Sequence, residues 1–290
     1  MYEIIKDSKG TLNHGISACA GCGMELLARC VFDVLGEDII IVIPPGCAAL
    51  LTGMGAECGI KAAGMMCNLE NTASTCSGIR ASLDSQGNDH TTVVGFAGDG
   101  GTLDIGLQSL SGMIERGDKV LYICYDNEAY MNTGIQSSSA TPFLASTTTQ
   151  PAGKPTVKKD LVGIAMAHDI PYAATASLHN IADLKKKIQK AKDTDGPSLI
   201  HVLIPCPTGW RSDPADTITL ARAAVNTGVW VLYEYENGEV TVNYKPKELK
   251  PIEEYISLQG RFKKVTEEEK AQMQKIVKQS YERKIAKLEK

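Results

Sequence analysis

Four runs of apolar, β-branched residues, each closed by glycine or proline, constrain this chain more than any other feature. They are DIIIVIPPGC, ending at Cys47; TTVVGFAGDG, which contains Asp99; KVLYICYDNE, which contains Asn127; and SLIHVLIPCP, which contains Cys206. Helix-like stretches lie between them, and strands alternating with helices build a parallel sheet with crossover helices. Between the second and third runs, Leu103, Leu107, Leu110, Met113 and Ile114 follow helical spacing up to a stop at Gly117. This segment is a βαβ unit. A right-handed crossover makes its strands parallel, so Asp99 and Asn127 leave the sheet at one carboxyl edge, about 4.8 Å apart if the strands are direct neighbours. Open α/β sheets hold their ligands at that edge. The expected fold is α/β, an open, mainly parallel sheet with helices on both faces.

At 290 residues and 43% apolar content the chain can fill one large α/β domain or two modest ones. We expect a sheet domain over residues 1–210 and a C-terminal extension over 211–290 that packs on the body or on a partner. In the extension, YEYENGEVTVNY reads as a hairpin turning at Asn237 and Gly238. Beyond it, Met273, Ile276, Val277, Tyr281, Ile285 and Leu288 share a helical face. Residues 129–160 are rich in Ser, Thr and Pro and too long for an ordinary connection, which marks an active-site loop. With 30 basic and 34 acidic residues mixed along the chain there is no basic stripe, so no nucleic acid is expected as a partner. The N-terminus has no apolar signal core, and the longest apolar run is broken by Pro44, Pro45 and Gly46. The expectation is a cytoplasmic protein with no membrane partner.

Nine cysteines, an odd number, argue for metal or redox chemistry rather than a disulfide framework. Cys124 within VLYICY and Cys30 on a helix read as small buried hydrophobes. Cys58, Cys67 and Cys76 are nine residues apart, neither a CxxC nor a zinc-ribbon spacing, and read as buried thiols. Cys19 and Cys22, in ACAGCG, have metal-clamp spacing just before a helix beginning near Met24, whose amides would face an anionic cluster. Cys47 and Cys206 each follow a strand and a proline, so they reach the same edge as Asp99 and Asn127. Four thiolates, not necessarily contiguous, are what a [4Fe–4S] cluster requires. Structural zinc is the competing reading of one CxxC with two distant cysteines.

The Gly98-Asp99-Gly100 turn and Asn127, 28 residues after Asp99, suggest a second site. Magnesium wants near-octahedral oxygen ligands, and Asp99, the Asn127 amide and the Ala129 carbonyl can supply three. Gly98 and Gly100 let backbone approach a diphosphate, and a helix opening near Thr102 offers free amides to it.

DNEAYMNTGIQSSSATP is similar to the thiamine-diphosphate motif of the pyruvate:ferredoxin oxidoreductases, members of the 2-oxoacid:ferredoxin oxidoreductase family. HGISACAGCG, PPGCAALL, GDGGTLDIG, HVLIPCPTGW and EEYISLQGRF occur in the order expected of that family's separate β chain, so the resemblance spans roughly residues 14 to 262. It implies a thiamine-diphosphate-binding fold in residues 1–210, with magnesium on Asp99, Asn127 and the Ala129 carbonyl. Gly98, Gly100, Cys47 and Asn132 would adjoin the cofactor, Asn132 as a catalytic residue close to the thiazolium. Cys19, Cys22, Cys47 and Cys206 would hold one [4Fe–4S] cluster. The implied reaction is pyruvate, coenzyme A and oxidised ferredoxin to acetyl-CoA, carbon dioxide and reduced ferredoxin, reversibly. Partner subunits would bring the activating glutamate and further ferredoxin-like clusters, since this chain has no C-x2-C-x2-C-x3-C run. From Cys47 to Gly78 the sequence departs from the family in having three additional cysteines and no aromatic residue, which keeps oxalate or a branched-chain oxoacid open as substrate. His14 and Lys61 are candidates for touching an anionic substrate, with a solvated role the plainer reading. A non-redox thiamine lyase and a zinc-stabilised scaffold subunit are the readings from other classes.

Overall fold

Strand directions and neighbours set where the loops meet. The computed structural model describes residues 11–13, 16–52 and 58–289, and His14 lies outside them. Among the described residues, the strands are β1 (Ile39–Ile43), β2 (Ala63–Met66), β3 (Thr92–Gly98), β4 (Leu121–Asp126), β5 (Tyr172–Ser177), β6 (Ser198–Leu203), β7 (Leu232–Glu236) and β8 (Glu239–Tyr244). They form one sheet in the order β2-β1-β3-β4-β6-β5-β7-β8. Strands β2 through β5 in that order are parallel, and the β7–β8 hairpin joins β5 antiparallel. Asn237 and Gly238 both have positive φ at the hairpin tip, the conformation a two-residue turn of matching twist demands.

The helices are α1 (Gly23–Leu35), α2 (Ala49–Thr52), α3 (Thr72–Ser85), α4 (Leu107–Glu115), α5 (Leu161–Met166), α6 (Ile181–Asp193), α7 (Pro207–Trp210), α8 (Thr217–Asn226), α9 (Glu253–Ile256) and α10 (Glu267–Leu288). Strand side chains alternate between faces. Ile41, Phe96 and Ile123 pack with Met24 and Leu27 of α1 and Leu184 and Ile188 of α6. On the other face, Val42, Val93 and Tyr122 meet Cys76 of α3, Met113 of α4 and Val162 of α5. A third cluster around Trp210, Trp230, Tyr255 and Met273 joins α7 to the C-terminal segment. Among the described residues, no helix is long and apolar enough to cross a membrane.

Strands β3 and β4 are direct parallel neighbours, as the βαβ reading requires. The helix between them differs from expectation. It opens with a π-helical turn at Gly100–Ile105 rather than near Thr102. A Cβ on Gly106 would lie 2.1 Å from the Gly101 carbonyl oxygen, so glycine permits this wide turn. Thr102 Oγ1 donates to the Gly98 carbonyl at 2.8 Å and fastens it to the end of β3.

Candidate active site

Strands β1, β3, β4 and β6 are consecutive in the sheet and parallel, and each leads into a residue singled out above. The turn after β1 carries Cys47, β3 leads to Asp99, β4 to Asn127 and β6 to Cys206. At about 4.8 Å per neighbour the outer two strands are roughly 14 Å apart, so their turns must lean inward to share a site. They do. Cys19, Cys22, Cys47 and Cys206 line one cavity of about 230 Å³, together with Asn127, Met131 and Asn132. Tyr125, buried in β4, accepts the Ala48 N–H at 3.2 Å and ties the Cys47 turn down. Cys206 caps α7 and accepts the Gly209 N–H at 3.4 Å.

Cys22 caps α1, and its own N–H donates to the Cys19 carbonyl at 3.1 Å. The loop between them is clamped from outside. Gly21 has φ of 68°, and a Cβ there would lie 2.3 Å from the Pro214 carbonyl oxygen. The Thr217 hydroxyl donates to the Gly21 carbonyl at 2.6 Å. All four cysteines are free. Burial, with the neighbouring thiols Cys206 and Cys22 adding to it, pushes Cys47 up to about 12. Burial likewise pushes Cys206 to about 11 against the Gly209 amide. Such thiols ionise when a cation takes the place of the proton. Among the described residues no three His, Cys, Asp or Glu side chains are arranged to hold a metal ion. The four cysteines instead line the wall of one cavity.

Next to this cavity, Asp99 is fully buried and accepts the Ser138 hydroxyl at 2.5 Å. Burial, then the Asp126 charge behind it, hold its carboxyl well above the usual range. One terminal atom of the Asn127 amide lies 3.0 Å from Asp99 Oδ1 and 2.8 Å from the Ala129 carbonyl oxygen. As nitrogen it donates to both; as oxygen it would face two further oxygens, an arrangement that a bound cation stabilises. Adjacent ligands of octahedral magnesium at about 2.1 Å lie about 3.0 Å from each other. The two separations from the Asn127 amide are close to that ligand–ligand spacing.

The glycines around Asp99 have a role the sequence did not disclose. A Cβ on Gly98 would come 3.1 Å from the Tyr125 ring, and one on Gly100 would come 2.4 Å from the Tyr130 ring. Tyr130 also donates to the Gly100 carbonyl at 3.1 Å, so the two loops close on each other. Asn132 is exposed at the cavity wall, open to a bound molecule. The 129–160 loop also shapes a polar cavity of about 470 Å³ beside Ser138, with Asp104, Ser139, Lys154 and Lys159 in its wall. Lys61 is exposed and does not line the cysteine cavity. Cys58, Cys67 and Cys76 do not reach it either; Cys76 is buried and the other two are half-buried.

Sequence reasoning missed the groups behind Asn127. The Trp210 indole N–H donates to the Asn127 carbonyl at 2.8 Å, and the Arg261 guanidinium lies 4.0 Å over the Trp210 ring. Asp126 meets Lys158 and His201, both at 2.9 Å. Burial works against its charge, but the Lys158 ammonium and the hydrogen bond with His201 prevail and hold its carboxyl at about 2.

Residues 45–202 match the family model of the thiamine pyrophosphate enzyme C-terminal TPP-binding domain. The chain is 48% identical to pyruvate synthase subunit PorB of Methanothermobacter thermautotrophicus, covering 91% of this chain and 93% of that one. It is 47% identical to ketoisovalerate oxidoreductase subunit VorB of Pyrococcus abyssi, with 93% and 90% covered. Its fold resembles the solved 2-oxoglutarate:ferredoxin oxidoreductase of Magnetococcus marinus, bound to 2-oxoglutarate, coenzyme A and succinyl-CoA, at a TM-score of 0.61 and 18% identity over 76% of this chain and 82% of that one.

Proposed function

Because this chain belongs to the 2-oxoacid:ferredoxin oxidoreductase family as its separate thiamine-binding subunit, we propose that it oxidatively decarboxylates pyruvate with coenzyme A and ferredoxin, reversibly. The oxidoreductase acts as an assembly of subunits. The observation that carries the reading is the single cavity shared by Cys19, Cys22, Cys47 and Cys206 with Asn127 and Asn132. A carbanion-forming cofactor and an electron acceptor would meet there.

Thiamine diphosphate, when bound, supplies the carbanion chemistry by which a 2-oxoacid loses carbon dioxide. A [4Fe–4S] cluster, when bound, would supply one-electron redox chemistry beside that site. Asp99, Asn127 and the Ala129 carbonyl would hold the magnesium that carries the diphosphate. Cys19, Cys22, Cys47 and Cys206 would hold the cluster, their thiol protons displaced on metal binding. Asn132, exposed at the wall, offers an amide to orient the oxoacid. Met131 and Ile135 give the same wall an apolar lining that limits water. The activating glutamate and the clusters closer to ferredoxin would lie on partner chains, and the cytoplasm is the compartment that suits free thiols.

Branched-chain oxoacids are the second reading, favoured by the near-equal identity to the PorB and VorB relatives, 48% and 47%. The test is reduction of a viologen dye by the anaerobically purified complex across a panel of oxoacids. Higher kcat/KM for pyruvate than for 3-methyl-2-oxobutanoate is expected, and the reverse order would transfer the assignment. Release of free aldehyde without dye reduction would contradict the oxidative reading altogether.

A further inference from the structure

Glu128 stands between two of the residues proposed to bind magnesium, and its backbone is unusual. It has φ of 69°, left-handed for a non-glycine residue, and its side chain is completely buried. That conformation is disfavoured for a residue with a Cβ and persists only where surrounding contacts over-determine it. Three segments supply those contacts. Lys158 Nζ donates to Glu128 Oε1 at 2.7 Å. The Tyr255 hydroxyl donates to Oε2 at 3.3 Å, and Arg261 Nη2 pairs with the same oxygen. The Glu128 N–H donates to Asp126 at 2.9 Å, and its carbonyl accepts the Thr141 hydroxyl at 2.7 Å.

These contacts close a ring. Arg261 is fixed by Gln259, whose side-chain oxygen accepts its Nε–H at 2.8 Å. From there its guanidinium stacks on Trp210, and Trp210 donates to the Asn127 carbonyl. Glu128 is therefore gripped from its side chain, and the residue before it from its carbonyl, by one Arg–Trp pair. The consequence falls on the turn. With Glu128 left-handed, the Asn127 amide lies 3.0 Å from Asp99 Oδ1 and 2.8 Å from the Ala129 carbonyl oxygen.

We propose that Glu128 and Arg261 are positioning residues for a divalent cation at Asp99, touching neither cation nor substrate but holding the left-handed turn that aims two of its ligands. The inference rests on the magnesium reading of Asp99, Asn127 and Ala129. It gives a function to the EEYISLQGRF segment, which contains Tyr255, Gln259 and Arg261.

The test measures the magnesium concentration that half-saturates thiamine diphosphate binding, by calorimetry on the full complex stripped of both. Glu128→Gln keeps shape and removes charge, and should raise that concentration about tenfold or more, as loss of an outer ligand-orienting group does. Arg261→Gln should give a similar rise, and the double variant should be no worse than either alone, the mark of one shared linkage. Arg261→Lys should recover part of the effect. Iron content and melting temperature report whether the rest of the subunit is intact; should Glu128→Gln fail to assemble, the Arg261 variants decide. Unchanged magnesium dependence in the Arg261 variants would overturn the proposal. Asp99→Ala separates the two claims: wild-type magnesium dependence in that variant would show that the cation site itself is misassigned. Loss in Asp99→Ala with none in Glu128→Gln or Arg261→Gln would overturn only the positioning role.

Discussion

Asp99 has no exposure to solvent and a second carboxylate, Asp126, behind it, so its carboxyl gives up its proton only with a cation at close range. Asp99→Ala should abolish retention of thiamine diphosphate and magnesium in the purified complex while leaving iron content unchanged. Retention of the cofactor would place the cation elsewhere. Trp210 adds a single neutral hydrogen bond to the Asn127 carbonyl. Trp210→Phe should therefore weaken thiamine diphosphate binding by about 1 kcal/mol, roughly fivefold in Kd, by calorimetry. The residues at this scale differ in how visible they were in the sequence. Cys47, Asp99, Asn127 and Cys206 each follow the end of a strand, so the apolar runs before them placed them at one edge. Trp210 and Arg261 reach Asn127 and Glu128 from 83 and 133 residues away, and no local pattern encodes contacts of that range. Tyr130 was hidden for another reason: a glycine before a helix suggests open space, whereas here it makes room for a ring.

Strands β1, β3, β4 and β6 were legible because β-branched residues buried on both faces read as continuous apolar runs. Strand β5 is equally buried but reads YAATAS, with small residues that carry little strand signal. Strand β2, AGMM, is short and exposed at the sheet edge, so no burial pattern marks it. Helix α10 was readable from its apolar stripe, and its capping box at Thr266 and Glu269 fixes its start. Met273 on that stripe is 2% exposed within the third core cluster. Met273→Ala should cost about 2–3 kcal/mol in a denaturant melt, with iron content unchanged if α10 braces the body without touching the site. Lys284 of α10 meets Asp160 at 2.9 Å. Burial disfavours the Asp160 charge, but Lys284 outweighs it and lowers the carboxyl below its ordinary value. A carboxyl depressed on folding stabilises above its unfolded value, near pH 4, and that contribution is lost as pH falls through and below it. The protection of α10 amides, relative to their intrinsic exchange rates at each pH, should fall below about pH 4 in the wild-type protein. In Lys284→Met that pH dependence should largely disappear.

At the scale of the whole molecule the sheet brings two groups of side chains side by side. Six parallel strands bring the cysteine cavity and the Asp99 trio to a common edge, and the β7–β8 hairpin extends the sheet on the far side. The α7 turn links the two, since it begins at Cys206 and ends at Trp210 on the Asn127 carbonyl. Electron transfer from thiamine chemistry to a cluster needs such proximity, and a non-redox lyase would have no use for four free thiols in that wall. The most direct measurement is the metal and sulfide content of the anaerobically purified chain. A brown protein is expected, with about four irons and four acid-labile sulfides per chain, lost together in Cys47→Ser or Cys206→Ser. Stoichiometric zinc with no iron would contradict it.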